Sequence, residues 1–256
     1  MSRMEANRWL YPLRRGLTAA LDTLFPPHCV FCSVELDSPC MTESLCQACR
    51  SSLTQTAEPA CLRCGALTPG GISQSDRCGH CQKLDFRFST AIPYGWYRGD
   101  LKQAIKRMKY AHGDPLAAAV SRFAANRWKV ALADYSADVI VPVPSYWIRR
   151  FQRGTHSPDL FAKQAGKRMG VTTIGGLLQC CRKVNKQSML SPGDRIQNVQ
   201  GAFRVAKGYD IRGARVVLVD DVLTTGATAN EATKTLLVAG AASVAVAVVA
   251  RALPNQ

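Results

Sequence analysis

The chain has 256 residues, 47% hydrophobic and 20% charged, with a formal net charge of +15. This length suits one medium α/β domain with a small appendage, and the absence of any run of 18 apolar residues argues against a membrane-spanning helix. The charge is uneven: residues 1–90 hold 9 basic and 8 acidic side chains, whereas residues 91–256 hold 24 and 10. Nucleic acid is the candidate polyanion for that second part.

From the N-terminus, Leu10, Leu13, Leu17, Leu21 and Leu24 recur near helical spacing, with Arg14, Arg15 and Asp22 between them. An amphipathic helix that packs on the rest of the protein is expected over 1–26, rather than a signal peptide with an unbroken apolar region.

Eight of the eleven cysteines then form four Cys-x-x-Cys knuckles: Cys29/Cys32, Cys46/Cys49, Cys61/Cys64 and Cys78/Cys81. Within each consecutive pair of knuckles, 13 residues separate the two, so four thiolates can close round one tetrahedral Zn²⁺. A double zinc ribbon is expected over 27–88, with two structural zinc ions, in a reducing and therefore cytoplasmic setting. A segment of about 60 residues with few large apolar side chains needs such staples to fold. Gly65 and Gly79 provide turn freedom. His28 and His80 flank ligands but are not needed by complete Cys₄ sets. Cys40, Cys180 and Cys181 have no knuckle partner, and the last two read as buried thiols.

The remainder, 89–256, alternates strands with helices and so implies a parallel sheet. Ala91 to Tyr97 reads as an edge strand. Leu101, Ile105 and Met108 then mark the packed stripe of a helix whose other stripe carries Lys102, Lys106 and Lys109. Lys109, at the helix end beside Tyr110, is a candidate for a diphosphate. A helix from about Pro115 to Ala131 leads to a short strand, Val139 to Pro144, and a basic turn whose Arg149, Arg150 and Arg153 are also diphosphate candidates. A helix follows to Met169, then a strand near Leu177 and a polar loop from Arg182 to Asn198. Arg182, Lys183 and Arg195 on that loop are further diphosphate candidates.

The most specific segment is Val216-Val217-Leu218-Val219-Asp220-Asp221-Val222-Leu223-Thr224-Thr225-Gly226-Ala227-Thr228, ahead of a helix to Ala239 and a last strand, Ser243 to Ala250. An apolar strand ending in two carboxylates and turning through small residues into a helix suits a sugar phosphate. Backbone N–H groups of Thr224, Thr225, Gly226, Ala227 and Thr228 can converge on the phosphate at the helix N-terminus. Asp220 and Asp221 can accept hydrogen bonds from vicinal ribose hydroxyls. The competing reading is a helix merely capped by threonines. A receiver domain needs about 100 further residues to complete its sheet, and only 35 follow Asp221. The Walker and dinucleotide glycine patterns are absent.

These thirteen residues resemble the phosphoribosyl-diphosphate (PRPP) motif of type I phosphoribosyltransferases. The resemblance implies that Asp220 and Asp221 hold the ribose and that 224–228 hold the 5-phosphate, with Mg²⁺ bridging the diphosphate. Over nearly the whole chain the pattern resembles the ComF family. The features that carry it are Pro26-Pro27-His28-Cys29 with the later knuckles, Ile105 to Tyr110, Val141-Pro142-Val143-Pro144, Arg153-Gly154, Gln187, Arg195, Asn198 and Gly201-Ala202-Phe203. Thr155-His156-Ser157 departs from the family's usual Phe-Asn-Gln. The resemblance implies a PRPP-binding protein that assists handling of single-stranded DNA in uptake or use of external DNA, with competence-machinery proteins as partners. The alternative is an active phosphoribosyltransferase with an unknown acceptor, since the chain runs only six residues beyond Ala250 and shows no base-binding hood.

Overall fold

A computed structural model describes residues 26–36, 44–54, 59–68, 78–110, 113–144, 157–182, 184 and 192–252. The expected helix over 1–26 lies outside the described residues apart from Pro26, as do Arg149, Arg150, Arg153, His156, Lys183 and Cys40. Cα packing divides the chain into two compact units, 1–51 and 52–256.

In the first unit the chain after Pro27 folds back on itself. Cys29 N donates to Val34 O at 2.8 Å and Leu36 N to Pro27 O at 2.8 Å, with Ser33 in the left-handed region at φ 63°. Helix α1 (Gln47–Leu53) starts directly after Cys46, and this aims the Cys49 N–H at Cys46 Sγ, 3.4 Å away. The knuckle is thus a tight turn whose amides face sulfur.

The second unit is built on strands β1 (Thr90–Trp96), β2 (Val139–Pro142), β3 (Thr172–Thr173), β6 (Arg215–Leu223) and β7 (Ser243–Arg251). Among the described residues these form one five-stranded sheet in the order β1-β7-β6-β2-β3, and every pairing is parallel. A parallel sheet covered on both faces needs apolar residues at consecutive positions. Val216 to Val219 and Val244 to Ala250 are accordingly all buried.

One face of the sheet packs Val216, Leu218, Val244 and Val246 against Ala229, Ala232 and Leu236 of helix α6 (Ala227–Val238). The same core includes Cys61, Cys64, Phe86 and Phe88 from the second knuckle pair and its exit segment. Helices α3 (Asp114–Ala131) and α4 (Ser157–Met169) pack together and against β1, β2 and β6. Pro115 at the start of α3 suits a first turn whose amides need no helical partner. In α2 (Gly99–Arg107) and the turn after it, Leu101, Ile105 and Met108 are buried, as their stripe predicts, while Lys106 is exposed and Lys102 lies over the Tyr97 ring.

Three expectations change. The strand near Leu177 is β4 (Leu178–Cys180), which leaves the main sheet to pair antiparallel with β5 (Phe203–Val205). The polar loop ends in a helix, α5 (Pro192–Val199), which sequence reading missed because it is short and carries only Ile196 and Val199 as large apolar residues. Cys180 and Cys181 are not buried: one is half-buried and the other exposed. They sit at the end of this surface ribbon, where the thiols donate to Arg182 O and Ala202 O, both at 3.2 Å.

The second knuckle pair docks against the sheet edge. Thr90 Oγ1 donates to Leu62 O at 2.5 Å, and Arg63 donates to Ser89 O and Phe86 O at 2.9 and 2.5 Å. Gly65, at φ 66°, lies so close to β1 that a Cβ there would meet Ala91 O and Pro93 Cδ at 2.9 Å. Gly65→Ala therefore combines left-handed strain with a backbone clash, and is expected to lower the unfolding free energy by about 1–3 kcal/mol in a denaturant titration.

Candidate functional site

Strand β2 leads through α4 to β3 on one side, whereas β6 leads through α6 to β7 on the other. The carboxyl ends of β2 and β6 therefore flank the point where the chain diverges, and in open α/β sheets ligands bind at that crevice. Val143 N donates to Val219 O at 2.8 Å and extends the β2–β6 pairing up to it.

Asp220 and Asp221 stand at this end of β6, both half-buried. Asp221 N donates to Asp220 Oδ1 at 2.8 Å, and Val222 N to Asp221 Oδ1 at 2.7 Å. Lys109 Nζ donates to Asp221 Oδ2 at 2.8 Å. Burial, and then the neighbouring Asp221 charge, push the Asp220 carboxyl well above its ordinary value. Burial pulls the Lys109 ammonium down, but the Asp221 and Asp220 carboxylates outweigh it and leave a net rise. The site thus holds two acids and one cation, and one acid keeps its proton to higher pH than usual.

Beyond them the backbone turns into α6. Gly226 caps the helix at φ 82°, which glycine adopts without strain. A Cβ there would also meet the Phe86 ring at 2.5 Å. Thr225 Oγ1 accepts from Ala227 N at 3.4 Å, and Asn230 N donates to Gly226 O at 2.8 Å. Thr224, Thr225, Gly226, Ala227 and Thr228 consequently occupy a strand-to-helix turn, with the N-terminal end of α6 beside the two carboxylates. This arrangement supplies what an anion next to a diol requires.

The other candidates are placed differently. Arg182 Nη2 donates to Gln200 O at 2.6 Å, beyond the end of α5, and Arg195 lies within α5.

Four residues not singled out for the phosphate site support the loop from beneath. Arg251, the last residue of β7, is 0% exposed. Its Nη1 donates to Leu223 O at 2.8 Å, to Ala252 O at 2.7 Å and to Thr224 O, its Nε to Cys64 O at 3.1 Å, and its Nη2 to His80 Nε2 at 3.0 Å. His80 therefore accepts on Nε2 and carries its proton on Nδ1. Burial, with the Arg251 charge beside it, lowers its basicity. Asn230 accepts from Arg87 N at 2.6 Å and donates to Asp85 O at 3.1 Å, and Phe86 lies between these two contacts against Gly226. A lone arginine ending seven apolar residues was the available signal for Arg251.

Among the described residues there are two metal-type clusters, Cys29, Cys32, Cys46, Cys49 and Cys61, Cys64, Cys78, Cys81, each with ligand atoms within 4.8 Å of one another. Sulfurs lie 3.6 Å apart for Cys32/Cys46, 3.5 Å for Cys64/Cys78 and 3.8 Å for Cys61/Cys81. A tetrahedron of Zn–S bonds has edges of about 3.8 Å, whereas a disulfide needs roughly 2.05 Å. The cages fit zinc. Burial, and then neighbouring sulfurs, push the Cys49 thiol up. Burial likewise pushes Cys64 up, but backbone N–H groups overcome burial at Cys29 and draw it to about 6. Four such thiols cannot all ionise in one cage without a cation. Neither His28, whose Nδ1 lies 2.6 Å from Pro26 O, nor His80 belongs to a cluster.

The fold and site define an α/β chain of the type I phosphoribosyltransferase class joined to a double zinc ribbon. Residues 20–82 match the family described as double zinc ribbon domain, and residues 160–254 match the phosphoribosyl transferase domain. Competence protein F of Haemophilus influenzae is 28% identical over 88% of this chain and 97% of its own length. DNA utilization protein YhgH of Salmonella typhi is 29% identical over 82% and 91%. Among solved structures, glutamine PRPP amidotransferase from B. subtilis overlaps loosely, with a TM-score of 0.37 and 24% identity over 56% of this chain and 30% of that one. Over most of its length the chain is similar to a competence protein and to DNA utilization proteins, and its two matched domains are those that the ComF resemblance implies.

Metal analysis of the purified chain is expected to find about two zinc ions, falling to about one in Cys46→Ser. A raised carboxyl pKa opposes folding as pH rises above the ordinary value of 3.8, because the folded state then holds the proton more tightly than the unfolded state. Asp220→Asn is therefore expected to stabilise the ligand-free protein by about 1 kcal/mol near neutral pH and to flatten its stability profile above that value, measured by denaturation at several pH values.

Proposed function

We propose that this protein binds PRPP with Mg²⁺ at the carboxyl end of β6 and assists the handling of single-stranded DNA in uptake or use of external DNA. The observation that carries the first part is the junction of Asp220 and Asp221 with a glycine-capped helix start at the switch point of a parallel sheet. In this reading Asp220 and Asp221 accept from the ribose hydroxyls and 224–228 hold the 5-phosphate. Lys109 pairs with Asp221 and is within reach of an incoming diphosphate. Mg²⁺ bound with the ligand would offset the two acids and the diphosphate charge.

The second part is supported by the names of the relatives, a competence protein and a DNA utilization protein, and by the cationic surplus of residues 91–256. Exposed Lys106 and Arg107 on α2 lie three and two residues from Lys109, so the basic helix continues to the edge of the site. Among the described residues no helix is long and apolar enough to cross a membrane. Reduced zinc thiolates suit the cytoplasm, where competence-machinery proteins would be the partners.

At a concentration 100 times Kd, Mg²⁺-PRPP should add about 2.7 kcal/mol of stability, a rise in Tm of roughly 5–10 °C, and the double variant Asp220→Ala, Asp221→Ala should lose it. A wild-type protein that shows no shift would reject the site. Single-stranded DNA should bind with an affinity that falls linearly with salt on logarithmic axes, by about 0.7 per phosphate contact. Binding indifferent to salt would remove the DNA reading. Diphosphate release from PRPP that depends on an added acceptor would instead identify a transferase.

A further inference from the structure

Arg251 presents a charge problem. It is fully buried, yet all five of its hydrogen bonds go to neutral acceptors: the carbonyls of Cys64, Leu223, Thr224 and Ala252, and the His80 ring. Among the described residues no carboxylate pairs with it. A buried cation without a counter-charge is strongly destabilising. The compensating charge lies in the second cysteine cluster, whose Cys64 and neighbouring His80 it touches. Four thiolates around one Zn²⁺ carry a formal charge of −2.

The same guanidinium is bonded to both ends of one physical chain. On one side are a ligand residue and the histidine between two ligands. On the other are the carbonyls of Leu223 and Thr224, where the strand becomes the phosphate loop. Two further contacts run in parallel with it. Phe86 fills the space that Gly226 leaves, and Asn230 clamps the backbone at Asp85 and Arg87. The exit segment of the second ribbon therefore meets the first turn of α6.

We propose that Arg251 is a positioning residue that makes the shape of the phosphate loop depend on the metal in the Cys61/Cys64/Cys78/Cys81 cluster. The turn at 224–228 is then tied to a zinc centre through second-shell hydrogen bonds of the kind that orient metal ligands. The inference rests on the phosphate-site reading of 224–228, but loop rigidity can be measured without any ligand.

The experiment is hydrogen exchange on the full-length, zinc-loaded protein, following peptides that cover 222–230 and, as internal control, the centres of β6 and β7. In Arg251→Met the loop peptides should exchange about ten-fold faster while the sheet centre stays protected, and Arg251→Lys should recover part of the protection because it keeps the charge. In parallel, the Kd for Mg²⁺-PRPP and for inorganic phosphate should rise about ten-fold in Arg251→Met. If Arg251→Met does not fold, the wild-type protein decides: stripping its zinc with a chelator should loosen the loop ahead of the sheet, and added zinc should restore it. Loop exchange at the wild-type rate in folded Arg251→Met, or in the stripped wild type, overturns the proposal. Wild-type protein that fails to bind PRPP but shows the exchange coupling would sink the PRPP reading alone.

Discussion

The carboxyl end of β6 is the constraint on which the site depends. Covered on both faces, the strand can carry only apolar side chains along its length, so polar function is confined to its end. There β6 is held between β2 and β7, and the chain departs in opposite directions from β2 and from β6. Asp220, Asp221 and the turn into α6 emerge at this divergence. The acids are kept half-buried by the strands beside them, which accounts for the raised basicity of Asp220. An isolated Asp-Asp pair in water would show little of it.

Metal substitutes for core where core is scarce. Around the two knuckle pairs the chain has few large side chains to bury, and the amides and sulfurs of tight turns take their place. The two clusters nevertheless differ in setting. The first belongs to unit 1–51, whereas the second is packed into the core of unit 52–256 through Phe86, Phe88 and Arg251. The second centre is thus part of the architecture of the sheet domain as well as of the ribbon.

Electrostatics at the site are balanced locally rather than by the net charge of +15. Lys109 answers Asp221 at 2.8 Å, burial raises the basicity of Asp220, and the helix start of α6 presents amides. Lys106 and Arg107 remain exposed on the adjoining helix. Short-range pairing thus sets the charge within the crevice, whereas charge exposed on the adjoining helix is screened by salt.

Local chemistry was legible in the chain itself. The Cys-x-x-Cys spacings, the stripe of Leu101, Ile105 and Met108, the apolar run into Asp220 and Asp221, and Gly226 before a helix all act through neighbours a few residues apart, so their pattern carries their geometry. The short β3, β5 and α5 were not legible, because pairing and packing rather than propensity hold them. Nor were the partners of Arg251, which lie 171 residues away at His80 and 187 at Cys64, or the clamp between Arg87 and Asn230 across 143. By itself the sequence determined which groups could hold zinc, ribose and phosphate. Only the tertiary structure decided that Arg251 joins the second zinc ribbon to the turn that follows β6, because a buried guanidinium must find its acceptors wherever the fold brings them.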